Sequence, residues 1–249
     1  MRDKVKVKNN PKMAIHAPGL KEVVASYMEK VPEVREYCNR CLRTERWDGS
    51  VVLMIVDASF TSLGLNYFQA IVPKVAEFKR RFIDTGQIKT VEDLATADIE
   101  NLRSVWRNKR SWAVAKAVAA YLATIKNEIK SDDRTAFIYW AKSAKLENWE
   151  EDPIGKIKGV GINTFQYLRM MAGVDTVMPD KIVKRVIGEI FKKAGLTMPR
   201  SDLEFIKEVE HVALETGYKA IELCWMTWLI QSEAGSIRIK RYAHLLPKI

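Results

Sequence analysis

The sequence predicts an all-α protein, and three observations support this fold class. Gly and Pro are sparse, at 12 and 8 of 249 residues, and they fall between segments whose apolar residues recur at helical spacing. No segment sustains the apolar–polar alternation of a strand, and no Asn-Gly or Asp-Gly hairpin signal joins two such runs. Hydrophobic residues make up 47% of the chain and charged residues 29%, which is typical of a globular protein. We therefore expect roughly ten helices joined by short loops.

The individual helices are predicted from their apolar spacing and their end signals. Residues 50–63 form the most apolar segment, which predicts a buried central helix. Thr90 is followed by acidic residues, a pattern typical of a helix start. In chain order the predicted helices are 19–29, 34–43, 50–63, 67–82, one beginning at Thr90, 111–129, 134–146, one after Gly161, 181–193, 200–215 and 217–233.

Charge and cysteine content narrow the class of protein. Lys and Arg number 41 against 31 Asp and Glu, so the formal charge of +10 favours a polyanionic partner, most simply nucleic acid. Three cysteines (Cys38, Cys41 and Cys224) cannot form a disulfide framework, and this count suits a reducing compartment. The longest aliphatic run, 51–56, is too short to cross a membrane, and no secretory signal is evident. We expect an intracellular protein, cytoplasmic or nucleoid-associated, with no membrane association.

The segment 153–168 differs from the helical segments because two glycines flank Val160. Gly159 and Gly161 permit positive φ and a close approach of the backbone to another group. The free N–H groups at the start of the next helix suit a phosphate oxygen, and Lys158 adds positive charge beside them. A simple turn between two helices is the alternative interpretation.

Asp180 follows Pro179 and opens the helix predicted over 181–193. Because a helix N-terminus stabilises negative charge, we expect its carboxyl group to be ionised. The alternative is that Asp180 is only an N-cap, a common role for Asp. Lys184 and Arg185 on the same helix are candidate contacts for a polyanion.

The hairpin and the following Asp together resemble the helix-hairpin-helix DNA glycosylases of the endonuclease III and adenine glycosylase type. The family hairpin reads approximately Leu-Pro-Gly-Val-Gly-x-x-Thr-Ala, and residues 157–165 read Ile-Lys-Gly-Val-Gly-Ile-Asn-Thr-Phe. The family's catalytic Asp stands ahead of a Val-x-Arg-Val pattern, and Asp180 precedes Val-Lys-Arg-Val at 183–186. The resemblance covers residues 50 to 190, and 157–186 is its most specific part.

This resemblance implies a bilobal all-α protein with a DNA cleft between two helical lobes. One lobe would combine 1–49 with 176–249, and a central lobe of 50–175 would contain the hairpin at 150–173. Asp180 would assist hydrolysis of the N-glycosidic bond of a damaged or mispaired base flipped from duplex DNA. The expected DNA contacts are Lys158, Gly159, Val160, Gly161, Asn163, Lys184 and Arg185.

A base pocket is expected from Ser59, Tyr167 and Asn163 on the same resemblance. Ser59 stands where the family has a Gln that fills the gap left by the flipped base, and Asp57 lies nearby. Tyr167 is the aromatic residue nearest the hairpin. The resemblance suggests a monovalent cation beneath the hairpin, and no metal or organic cofactor is expected to take part in the chemistry.

Two departures from the family pattern limit the expected chemistry. Bifunctional members carry a Lys after the hairpin that attacks the sugar, whereas this chain has Asn163. We therefore expect no lyase activity, unless the neighbouring Lys181 substitutes for the missing amine. Many members hold an iron–sulfur cluster on four C-terminal cysteines, and with Cys224 alone in that region no cluster is expected.

Three alternative functions remain open. The first is a non-catalytic helix-hairpin-helix DNA-binding protein. The second is a related enzyme that modifies DNA bases, and the third is a basic helical protein with a fortuitous hairpin.

The remaining aromatic and histidine residues are not assigned to the site. Trp225 and Trp228 lie in an apolar helix and are predicted to pack in the core, while His16, His211 and His244 lack the spacing of metal ligands. No obligate protein partner is evident.

Overall fold

The computed structural model describes residues 19–62 and 65–231, and the regular structure in these two ranges is helical, with no β-strand. Twelve α-helices fall in this part of the chain: α1 Leu20–Met28, α2 Val34–Leu42, α3 Val51–Thr61, α4 Val72–Phe78, α5 Val91–Thr96, α6 Ile99–Leu102, α7 Lys109–Glu128, α8 Asp133–Ser143, α9 Ile162–Met171, α10 Lys181–Lys193, α11 Asp202–Thr216 and α12 Ala220–Gln231. The predicted all-α class is confirmed. Leu63, Glu233, His16 and His244 lie outside the described ranges.

Side-chain caps explain where many of these helices begin. Thr90 and Ser201 each form a capping box, with Asp93 and Glu204 respectively, and these boxes start α5 and α11. Ser50 accepts the Leu53 N–H at the start of α3. The sequence-based bounds agree closely at these ends because each cap is a local signal.

Three features of the helical chain differ from the prediction. Short π-helical turns, Tyr67–Ile71 and Lys79–Ile83, extend α4 at both ends, so one helical segment covers the range predicted as 67–82. The helix expected over 134–146 ends at Ser143, because Ala144 is extended, with φ −66° and ψ 128°. The four-residue α6 was not predicted, since a helix of about one turn is too short for its apolar residues to repeat.

Helix α3 is the centre of the core, as its apolar sequence predicts. Every residue from Val51 to Phe60 is buried, and the helix contacts α4, α7 and α9. Trp112 on α7 meets Phe60 edge-on, with ring centroids 4.9 Å apart. A helix buried on all sides has no polar face, which explains its continuous run of apolar residues.

The chain ends of the described region pack on one another. Helices α1 and α2 contact α10 and α12, and the Cys38 thiol donates a hydrogen bond to the Ile221 carbonyl oxygen at 3.4 Å. Helices α3 to α8 instead pack mainly among themselves and against α9. The division into a lobe of 1–49 with 176–249 and a lobe of 50–175 remains a prediction.

The three cysteines and the lengths of the described helices were the remaining sequence-based expectations about this fold. Cys38, Cys41 and Cys224 are free and buried, and burial raises the pKa of each thiol. None of the described helices combines the length and the apolarity that a bilayer-spanning helix needs.

Candidate active site

Asp180 caps the N-terminus of α10 and is partly buried. Its Oδ1 atom accepts the backbone N–H groups of Ile182 and Val183, at 2.7 and 2.8 Å. Burial raises the pKa of the carboxyl group above its ordinary 3.8, although the two amides act in the opposite direction. The helix N-terminus therefore favours the ionised form, as expected, but desolvation outweighs it.

The same cleft brings Asp180 together with the glycine-rich turn. This cleft has a volume of about 660 Å³ and is lined by residues from the end of α3, the turn, α9, α10 and α12. Of the residues selected from the sequence, it contains Gly159, Val160, Gly161, Asn163, Tyr167 and Asp180. Gly159 and Asp180, which are 21 positions apart in the chain, thus face one space.

The two glycines of the turn have different conformations. Gly159 has φ +109°, and a Cβ atom there would lie 2.9 Å from Val114 Cγ2. Gly161 has φ −115° and ψ 175° and caps α9, and a Cβ atom there would meet no other atom within 4 Å. No side chain caps α9, so the N–H groups of its first turn remain open to the cleft. Positive φ is thus required at Gly159 alone.

The chain before the hairpin is a series of turns, not a regular helix. Backbone hydrogen bonds from Lys156 to Asp152 and from Val160 to Ile157, both 2.9 Å, hold this segment. Gly155 is essential there, because a Cβ atom would lie 1.7 Å from the Trp149 carbonyl oxygen. The hairpin is therefore fixed by packing of its backbone.

The basic residues near the cleft fall into two groups. Lys158, Lys181 and Arg185 are exposed and form no ion pair with the described residues, and the exposed Arg110 lies beside Gly159 in the cleft. Lys184, expected to contact DNA, is instead paired with Asp202 and lies 5.9 Å from the Phe205 ring centroid. Lys184 is thus directed toward α11 by a local partner.

A small apolar pocket adjoins the cleft. Its wall includes Tyr67, Tyr167, Met178, Trp225 and Trp228, and it encloses about 10 Å³ of free space, roughly one water molecule. Trp228 was expected in the core with Trp225, but it is only partly buried and lines both the pocket and the cleft. A planar ring could enter this space only if its aromatic wall moved apart.

A buried ion pair supports this aromatic wall. Arg46 and Asp57 are both fully buried, and Asp57 does not face the cleft. Its Oδ2 atom accepts hydrogen bonds from Arg46 Nη2, Trp47 Nε1, Tyr67 Oη and Tyr167 Oη at 3.1, 2.8, 2.8 and 3.2 Å. The Arg46 guanidinium lies 4.9 Å from the Trp225 ring centroid. The hydroxyl groups of Tyr67 and Tyr167 are thus held by a carboxylate on the side of these rings that faces the core.

Ser59 does not line the cleft. Its side chain is buried and donates to the Ile55 carbonyl oxygen at 2.8 Å, one turn back on α3. Leu65, by contrast, is 45% exposed and lines the cleft beyond the end of α3. Sequence reasoning missed Leu65, since an isolated exposed leucine carries no local pattern.

Metal binding was not expected, and residues 19–62 and 65–231 contain no group of three or more His, Cys, Asp or Glu side chains arranged to hold a metal ion.

Asn163 is exposed in the cleft at the first turn of α9. Its amide is not nucleophilic, in contrast to the lysine that bifunctional glycosylases are expected to carry there.

The fold and the site define an all-helical protein in which a hairpin and a capping aspartate share one cleft. The fold is similar to that of a solved structure: the crystal structure of the 8-oxoguanine DNA glycosylase of Thermotoga maritima matches 85% of this chain and 94% of its own, with a TM-score of 0.50 and 19% identity. No family model and no curated protein matches the sequence. The structural likeness confirms the predicted glycosylase-like fold.

Proposed function

We propose that the protein is a DNA N-glycosylase that hydrolyses the bond between a flipped base and its sugar. The observation that carries this proposal is the position of Asp180, a partly buried carboxyl group that faces the same cleft as the uncapped hairpin helix. One surface can then hold a DNA phosphate while the carboxyl group meets the sugar. The likeness in fold to an 8-oxoguanine DNA glycosylase supports the same proposal.

The first step is binding of the duplex at the hairpin. The N–H groups of the first turn of α9 would bind one phosphate, with Lys158 and Arg110 adding positive charge beside it. Leu65 at the cleft would enter the gap that the flipped base leaves in the stack, a role of apolar side chains in other DNA complexes. A monovalent cation beneath the turn remains a proposal, and no step depends on it.

Hydrolysis would follow where the cleft adjoins the small apolar pocket, at the residues that line both, Tyr167, Met178 and Trp228. The flipped base would lie between the aromatic side chains of the pocket, which must part to admit it. The Asp180 carboxylate would stabilise the positive charge that develops on the sugar and orient a water molecule toward its anomeric carbon. The water oxygen bonds to that carbon and gives up a proton to solvent, the N-glycosidic bond breaks, and the base leaves with its electron pair and takes up a proton from solvent.

We further propose that the enzyme is monofunctional. Asn163 cannot form a Schiff base with the sugar, because an amide nitrogen is not a nucleophilic amine. Lys181 also lines the cleft, so it is the lysine to replace if strand breakage occurs without alkali. As the substrate we propose an oxidised purine, and 8-oxoguanine is the first base to test.

The test is base release from duplexes that each contain one lesion or mismatch, with and without alkali. We expect strand breakage after alkali only, and a loss on the order of a thousandfold with Asp180→Asn. Asp175→Asn is the matched control: this carboxyl group also accepts a backbone N–H, from Ile221 at 2.9 Å, and burial also raises its pKa, but it lies outside the cleft.

Three other outcomes would contradict parts of this proposal. Equal losses with Asp180→Asn and Asp175→Asn would make the effect structural. Breakage without alkali would overturn the monofunctional assignment. No release from a broad panel, with salt-sensitive binding intact, would favour a non-catalytic DNA-binding protein or a base-modifying enzyme.

A further inference from the structure

One buried donor at the cleft lacks an acceptor. The Nε1 atom of Trp228 is inaccessible to solvent and forms no hydrogen bond with the described residues. Leaving such a donor unpaired costs folding free energy, so native proteins rarely do so without a functional reason. The N–H of Trp225, one turn earlier on α12, is also unpaired, but it acts on the Cys41 thiol, which does not line the cleft.

Trp228 and Asp180 are neighbours across the boundary between α12 and α10. Both line the cleft, on helices that pack against each other, and the indole N–H lowers the pKa of the Asp180 carboxyl group as a hydrogen-bond donor would, although its geometry falls short of a formed bond. The two amides of α10 both bind Oδ1, so Oδ2 receives no donor from the described residues. An unpaired donor therefore lies beside an unpaired acceptor.

The other groups around Asp180 do not supply this donor. On α10, Lys184 has a weak favourable effect on the carboxylate but is paired with Asp202. On α12, the buried Cys224 thiol stays protonated, since burial raises its pKa and Asp180 raises it further. Lys181 and Arg110 line the same cleft and are exposed. A thiol S–H is only a weak donor, so Trp228 is the strong buried donor among these groups.

We propose that Trp228 is a positioning residue for Asp180, whose indole N–H donates to Oδ2. This inference rests on the proposed function, because it assigns the carboxylate its reactive orientation. With Oδ1 held by two amides and Oδ2 by the indole, the plane of the carboxylate is fixed. The bond also maintains the ionised form after DNA has excluded water, when desolvation is greatest.

Trp228→Phe tests the inference, because it keeps an aromatic ring and removes only the N–H donor and the second ring. We expect kcat for base release to fall about tenfold, as for loss of a hydrogen bond to a charged group, with DNA affinity little changed. The acid limb of the pH–rate profile should move to higher pH. Carbon-13 NMR of the Asp180 carboxyl group in the free protein should show a raised pKa.

Trp140→Phe is the matched control. This indole also donates to an aspartate, Asp152 Oδ1 at 3.2 Å, but it lies on α8 and does not line the cleft. The control should leave the titration of Asp180 and the pH–rate profile unchanged. If Trp140→Phe moves both as far as Trp228→Phe does, or if Trp228→Phe moves neither, the inference is wrong.

A second measurement needs no tryptophan variant. In the wild-type protein, the indole N–H resonance of Trp228 should shift as Asp180 titrates, and this shift should be absent in Asp180→Asn. Its persistence in Asp180→Asn would overturn the inference. If the NMR results are as expected but the wild type releases no base, the contact stands and the proposed function fails.

Discussion

At the scale of single residues, Asp180 combines two properties that oppose one another. Two amides bind its Oδ1 atom, yet burial raises the pKa of the carboxyl group. Between pH 3.8 and the folded pKa, the native state holds a proton that the unfolded chain has released. The contribution of Asp180 to the free energy of unfolding therefore falls as the pH rises through this window, and it remains low at neutral pH.

We accordingly expect Asp180→Asn to unfold at a higher temperature than the wild type at pH 7, because Asn caps a helix without a charge. Below pH 3.8 the difference should disappear. Asp132→Asn is the control, and its unfolding temperature at pH 7 should fall. Asp132 caps α8, and the backbone N–H of Thr135 donates to its carboxylate and lowers the pKa of that group. Calorimetry over a pH series measures both variants, and a less stable Asp180→Asn at pH 7 would contradict the argument.

The buried pair of Arg46 and Asp57 predicts a large effect on stability. Asp57→Ala removes the acceptor of a fully buried guanidinium and of three further donors. We expect a loss of about 3–5 kcal/mol in the free energy of unfolding, because an uncompensated charge remains in the core. Asp84→Ala breaks the more exposed pair with Lys79 and should cost no more than about 1 kcal/mol in denaturant unfolding. Equal costs would contradict this interpretation.

Whether a residue of the site could be predicted from the sequence depended on whether it lies in the local motif or reaches the cleft through packing. Asp180, Gly159 and Asn163 lie in one local motif, which the resemblance to a known family singled out, and all three line the cleft. Trp228, Arg110 and Leu65 enter the cleft from three other parts of the chain, and only packing brings them there. Ser59 was placed in the base pocket from an upstream resemblance, whereas it and the nearby Asp57 are both buried in α3. Their orientation depends on neighbours that no local pattern reports.

At the scale of elements, the hairpin offers a matched pair of substitutions. Gly159→Ala forces a side chain into positive φ and against Val114, and it should cost about 1–2 kcal/mol of stability. Gly161→Ala is compatible with its φ of −115° and should leave stability almost unchanged. Its methyl group would nevertheless stand where the phosphate approaches, so both variants should bind duplex DNA more weakly.

Thermal unfolding and fluorescence anisotropy measure the two effects separately. Full DNA affinity in Gly161→Ala would show that the hairpin backbone does not hold a phosphate. Loss of stability in Gly161→Ala would instead contradict the assignment of strain to Gly159 alone.

Helix prediction succeeded where the signal lay within one element. The capping boxes of α5 and α11 and the apolar run of α3 are such signals. The irregular segment before the hairpin was not predicted, since its turns depend on contact between Gly155 and the Trp149 carbonyl. Backbone-to-backbone packing of this kind leaves little trace in the sequence.

At the scale of the whole molecule, the positive charge of +10 predicts binding that weakens steeply with salt. Lys158→Ala should reduce the slope of log K against log salt by about one, because an exposed lysine beside the hairpin releases a counterion from DNA. Lys184→Ala should leave the slope unchanged, since Asp202 already neutralises that charge. The reverse result would restore the sequence-based assignment of Lys184 and exclude Lys158.

Contact between the two ends of the described chain has a consequence for the order of folding. The bond from Cys38 to Ile221 joins residues 183 positions apart, so α2 meets α12 only after a long loop has closed. Helices α3 to α9 make mostly nearer contacts and are expected to form first. A nascent or partly folded chain would then present the hairpin before α12 delivers Trp228 to Asp180. On the proposed function, such a chain would hold DNA but release a base from it more slowly.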